Sequence, residues 1–201
     1  MPLFRINDLD LLFIHIPKTG GTSIEKWLSD LGEISYYSTV VPSFLKCSPQ
    51  HFMMSYFKLL NPYLDCPAFT IVRNPYERAE SEYFFRVRGQ IPKLRPKFSA
   101  WMIKQLQHVS RNPHHLDNHF MPQSYYIEDG VAVHRFEDGF DVIIENISKA
   151  YGIDPPEKIP HAHKSVRTKV EWSTELLIKF NAFYAADFEM LGYQKRKLKA
   201  V

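Results

Sequence analysis

Residues 11–31, LLFIHIPKTGGTSIEKWLSDL, constrain the fold more than any other stretch of the chain. Leu11 to Ile16 is an almost unbroken apolar run, the pattern of a strand buried on both faces. Pro17-Lys18-Thr19-Gly20-Gly21 then turns the chain. Thr22 and Glu25 stand in the S/T-x-x-E relation of a capping box, and Ile24, Trp27, Leu28 and Leu31 follow at helical spacing, which predicts a helix starting close to Thr22. Strand, glycine turn and helix in that order leave backbone N–H groups converging on one spot, with the positive end of the helix dipole behind them. Such a turn is an anion site. Gly20 and Gly21 permit close approach of backbone to ligand, while Lys18, Thr19, Thr22 and Ser23 add one charge and three hydroxyls. A diphosphate-like group fits that inventory; the plainer alternative is a tight turn with a solvated lysine. The order is not that of a Walker A loop, whose lysine follows its last glycine, because Lys18 precedes both glycines.

A second motif lies in Thr70 to Phe85, TIVRNPYERAESEYFF. Ala68 to Val72 reads as another buried strand, and Asn74-Pro75-Tyr76-Glu77 as a helix start with asparagine as cap and proline in the first turn. Arg73 leaves the strand, and Ser81 follows two turns into the helix, so both can converge on one phosphate at the carboxyl edge of a sheet. The alternative is an arginine pairing with Glu77 or Glu80 on the helix surface. Two strands followed directly by helices predict an α/β fold with a P-loop-like central parallel sheet flanked by helices. No repeat, low-complexity tract or linker divides the 201 residues, so one domain over 1–201 is expected.

The remaining elements are read from periodicity. Ile34 to Val41 is β-branched and aromatic and predicts a strand or extended segment; Pro49 opens a helical pattern that runs to Leu60. Phe98 to His108 and Phe140 to Tyr151 are helical, Arg111 to Gln123 is an irregular loop, and Leu176, Phe180 and Phe183 mark a last long helix. Asp129-Gly130, between Tyr125–Glu128 and Val131–Arg135, signals a hairpin. The tail from Lys195 to Lys199 reads as solvated.

HIPKTGGTS after an apolar strand resembles the 5′-phosphosulfate loop of sulfotransferases that use 3′-phosphoadenosine 5′-phosphosulfate (PAPS), in particular carbohydrate sulfotransferases related to heparan sulfate 2-O-sulfotransferase. TIVRNPYERAESEYFF is similar to that family's 3′-phosphate motif, with Arg73 and Ser81 at the phosphate-holding positions and Arg78 also matching. His163-Lys164-Ser165-Val166-Arg167 resembles the late basic loop that closes over the nucleotide, and Tyr184 to Tyr193 the family's C-terminal helix. The resemblance implies sulfuryl transfer from PAPS to a carbohydrate hydroxyl, with 3′,5′-ADP as product. It assigns Lys18, Thr19, Gly20, Gly21, Thr22, Ser23, Arg73, Ser81, Lys164, Ser165 and Arg167 to the nucleotide. The alternatives are another P-loop-like transferase, such as a small kinase, or a non-catalytic protein that binds 3′-phosphoadenosine nucleotides or a polyanion.

Such a reaction needs an in-line acceptor, charge stabilisation and a base. Lys18 suits the charge on the leaving oxygen. Histidine suits the base, because its pKa lies near neutrality. Of the nine histidines, His51 lies where the related 2-O-sulfotransferases place theirs, and His119, in a segment like the family's His-x-x-Pro-Gln, is the second candidate, as base or acceptor contact. His15 is expected to pack beside the loop. His114, His115, His119, His161 and His163 lack a cysteine pair or an H-E-x-x-H pattern, so no metal is expected.

The net charge of +3 favours anionic ligands without singling out nucleic acid, and none is expected as partner. Cys47 and Cys66 read as reduced thiols of a cytoplasmic protein. The run at 11–16 is too short for a signal peptide or a membrane span. Golgi members of the resembled family carry an N-terminal anchor, so the chain is expected to be a soluble bacterial relative or a bare catalytic domain.

Overall fold

The structure, a computed structural model, describes residues 1–158 and 168–197. The described backbone gathers into two compact units, one of Met1–Arg73 with residues 125–158, the other of Asn74–Ser124 with residues 168–197.

The first unit is built on a five-stranded sheet. In chain order the strands are β1 (Leu3–Ile6), β2 (Leu9–Ile14), β3 (Glu33–Ser35), β4 (Ala68–Val72) and β5 (Val131–Arg135), arranged β3-β1-β2-β4-β5. β2, β4 and β5 are mutually parallel, with Leu12 opposite Ala68 and Ala68 opposite Val131. All five residues of β4 are buried, as the uninterrupted apolar run AFTIV requires of a central parallel strand. Thr70 is tolerated there because its hydroxyl donates to the Ile14 carbonyl at 2.8 Å.

The parallel core matches the reading of the sequence, but two antiparallel edge strands, β1 and β3, extend it. β3 is three residues long and takes up only the start of the strand or extended segment expected over Ile34–Val41. The expected hairpin at Asp129-Gly130 does not form. Val131–Arg135 pairs in parallel with β4, and Tyr125 lies in a 3₁₀ segment, Gln123–Tyr126. Pairing with a fully buried strand removes more apolar surface from water than an exposed two-stranded ribbon could.

Helices α1 (Gly21–Ser29), α2 (Met54–Leu60) and α5 (Phe140–Tyr151) complete this unit. Ile24, Trp27 and Leu28 of α1 and Ile143, Ile144 and Ile147 of α5 bury against Phe4, Phe13, Phe69 and Ile71 of the sheet. Each such side chain is worth about 1.5–3 kcal/mol of burial. The helical pattern from Pro49 is broken into a 3₁₀ turn, Pro49–His51, and α2, because Phe52 and Met53 are extended.

The second unit is helical, with α3 (Pro75–Val87), α4 (Phe98–Arg111), α6 (Thr174–Phe183) and α7 (Ala185–Met190). Asn74 caps α3 as expected, its side chain accepting from the Tyr76 N–H at 3.0 Å. Tyr76, Ala79, Tyr83 and Val87 form the buried face of α3 and pack with Phe98, Phe120, Phe180, Tyr184 and Phe188. The last helix marked by Leu176, Phe180 and Phe183 is α6, and α7 follows it after Tyr184. Arg196 of the tail is not merely solvated: its guanidinium stacks over Tyr76 at 4.5 Å and pairs with Glu80 at 3.2 Å. No helix among the described residues is long and apolar enough to cross a membrane.

Candidate active site

After Ile14 the chain leaves the sheet through His15 and enters the turn. Lys18 is left-handed, φ 71°, and Gly20 follows at 88°. A left-handed lysine costs on the order of 1–3 kcal/mol, a strain that persists only where the surroundings fix it. The Thr19 hydroxyl, fully buried, donates to the Ile16 carbonyl at 2.8 Å and holds the turn shut. Both glycines are required by packing within the protein. A Cβ on Gly20 would lie 2.6 Å from Phe140 and 2.9 Å from Phe136, and one on Gly21 would lie 2.8 Å from the His15 ring. Gly20 caps α1 in its left-handed conformation, with no side-chain cap. The expected capping box of Thr22 and Glu25 is therefore absent: Thr22 is exposed and Glu25 points inward.

β2, β4 and β5 run the same way, so the segments after Ile14, Val72 and Arg135 emerge at one edge of the sheet. Arg73 is buried there, its guanidinium 4.1 Å above the Phe136 ring and its Nη1 donating to the Lys18 carbonyl at 3.4 Å. Arg73 is thus brought to the loop of Lys18–Ser23. Ser81 belongs to the second unit, half-buried on α3. Lys164, Ser165 and Arg167 lie outside the described residues.

Glu25 is 2% exposed, and its carboxylate is shared by two partners. His15 Nδ1 donates to it, and Gln50 Nε2 donates to both of its oxygens at 2.9 Å. Burial alone would push this carboxyl up; the charge and hydrogen bond of His15, then Gln50, outweigh it and hold the group below its ordinary value. His51, also buried, stands edge-on to the His15 ring with centroids 5.3 Å apart.

In the second unit His119 Nδ1 lies 2.8 Å from Glu82 Oε2, and Arg86 Nε holds Oε1 at 2.6 Å. The segment before it is strained: Leu116, Asp117 and Asn118 are all left-handed, at φ 52°, 60° and 63°. Arg78, whose place in the second motif carried no firm role, is buried and donates to the carbonyls of His119 and Met121 at 3.0 and 2.9 Å. Asp187 accepts from the backbone of Gln123 and Ser124, and the Tyr184 hydroxyl donates to the Phe120 carbonyl. The His119 loop is pinned at both ends.

Burial would raise the Glu82 carboxyl, but His119 and then Arg86 bring it down to about 2 from 4.5. The stability this carboxylate contributes is complete above about pH 4.5 and lost as pH falls towards about 2. Glu82→Gln is expected to lower unfolding stability at pH 7 by about 3 kcal/mol. In urea titrations the gap to the natural protein should close as pH falls through that window; an equal gap at pH 7 and near pH 2.5 would remove Glu82 as its source.

The sequence reading missed Glu25 and Glu82 as partners of histidines, and Phe136 as the platform of Arg73. Only spacing relative to a helical stripe hinted at them: both glutamates fall beside buried positions, Ile24 and Tyr83. Among the described residues no group of three histidine, cysteine or acidic side chains is placed to hold a metal. Comparison with curated proteins and with solved structures gives no match. A comparison with protein families matches the sulfotransferase family over residues 2–194. With a match running nearly end to end, the chain belongs to the sulfotransferase family and is a sulfuryl-transferring enzyme.

Proposed function

We propose that the chain, working as one sulfotransferase domain over 1–201, transfers the sulfuryl group of PAPS to a hydroxyl of a polysaccharide, oligosaccharide or glycolipid. The observation that carries this reading is Arg73 fixed against the Lys18 carbonyl, which sets a buried second cation beside an anion loop. That arrangement fits a nucleotide phosphorylated at both 5′ and 3′ positions. PAPS supplies the sulfuryl group on a stable leaving group, 3′,5′-ADP. As the acceptor oxygen bonds to sulfur, the sulfur–bridging oxygen bond breaks and the hydroxyl proton passes to His51.

The residues divide this work. Backbone amides from Lys18 to Ser23, with the Thr22 and Ser23 hydroxyls, hold the 5′ side, and Lys18 Nζ meets charge developing on the bridging oxygen. Arg73 holds the 3′-phosphate. The parts given to Ser81, Lys164, Ser165 and Arg167 rest on the sequence. His51 is preferred as base because it belongs to the same unit as Lys18 and is linked to the loop through His15. His119, oriented by Glu82, is assigned to the acceptor, and the carbohydrate class rests on the resemblance of the motifs. A cytoplasmic setting belongs to the same reading, with Cys47 and Cys66 as reduced thiols.

Without added metal, 3′,5′-ADP should raise the thermal midpoint far more than AMP, since only the former reaches Arg73. Equal shifts would sink the 3′-phosphate assignment. Incubation with labelled PAPS and ATP in turn, with a panel of glycans, should release 3′,5′-ADP and not ADP.

A further inference from the structure

We infer that Glu25 is a positioning residue for sulfuryl transfer: through His15 and Gln50 it fixes His51 relative to the phosphate loop. The inference rests on the reading of His51 as base.

A buried carboxylate is costly to keep unless its partners are well placed. Glu25 sits among Ile24, Trp27 and Leu28 of α1, where an apolar side chain would bury more simply. What the carboxylate adds is direction. One of its oxygens holds His15 Nδ1, which fixes the plane of a ring whose other edge lies against Gly21. The same ring meets His51 edge-on and packs 5.6 Å from Phe13 in the core. Both oxygens also accept from Gln50, the residue bonded to His51, so His51 is held by its chain neighbour and by its ring neighbour from one carboxylate. Three backbone segments meet there: the exit of β2, the first turns of α1 and the 3₁₀ turn Pro49–His51. General-base catalysis depends on this kind of placement, because a misdirected imidazole loses rate while the nucleotide still binds.

The test is a double-mutant cycle of Glu25→Gln and His51→Ala. It is read in kcat with PAPS and a sugar acceptor, in 3′,5′-ADP affinity and in the ring resonances of the nucleotide-free protein. Glu25→Gln should lower kcat about 10- to 100-fold with unchanged 3′,5′-ADP affinity, and shift the His51 ring signals while leaving those of His119 in place. With His51 already alanine, the further loss should be less than about threefold, since coupled residues do not add. An equal loss in both backgrounds, or unmoved His51 signals, overturns the positioning role alone. A His51→Ala variant with near-normal kcat overturns the base assignment and the inference with it. Should Glu25→Gln not fold, Gln50→Met breaks the same link from the other end, with the same cycle expected and the same results decisive.

Discussion

His51→Ala should lose roughly 100- to 10,000-fold in turnover while keeping its affinity for 3′,5′-ADP, the range over which a positioned general base contributes. The acidic limb of the pH–rate profile should vanish with the imidazole, because a base that must be unprotonated to act is what that limb reports. His119→Ala should behave differently, raising the apparent Michaelis constant for the acceptor more than it lowers turnover, as loss of a positioning contact does. Profiles of both variants with one sugar acceptor separate the roles. If His119→Ala abolishes turnover and His51→Ala does not, the roles are exchanged.

Lys18→Ala should reduce turnover on the order of 100- to 1,000-fold and nucleotide binding far less, since its charge matters most when the bridging oxygen becomes anionic. Lys18 is only partly exposed, in a left-handed backbone, with its carbonyl receiving Arg73. Alanine keeps that carbonyl, so the contact to Arg73 survives the substitution and the charge alone is removed. Single-turnover rates beside equilibrium binding of 3′,5′-ADP check this; near-normal turnover would take Lys18 out of the mechanism.

The parts of the site that could be read from the chain are those fixed by neighbours in sequence. β2, the glycine turn and α1 follow from an apolar run, two glycines and a helical stripe within 21 residues, and the Asn74 cap with Pro75 announces α3. Glu25 could not be read, because T-x-x-E is written the same way whether the carboxylate folds back onto its own helix end or turns inward. Gln50, 25 residues away, decides it. The Asp129-Gly130 signal failed for a similar reason: a tight turn is a local preference, whereas the pairing of Val131 with Ala68 is a long-range one and buries more surface. At Phe52 the helical spacing continues but the backbone does not, and the break leaves Gln50 and His51 on a separate turn that faces Glu25 and His15. The left-handed turn before His119 contains no glycine. Its trace in sequence is Asp117-Asn118, residues that tolerate such backbone better than most.

That turn has a consequence for how this protein could be improved. Stabilising searches favour glycine wherever an L-residue is bent the wrong way, and Leu116 and Asp117 are natural targets. Each exchange would relax the folded chain while widening the range of shapes the unfolded loop could take. A variant chosen for heat resistance alone would therefore drift towards an enzyme that survives longer and holds His119 less firmly. The handedness of three residues thus marks a place where durability and selectivity pull in opposite directions.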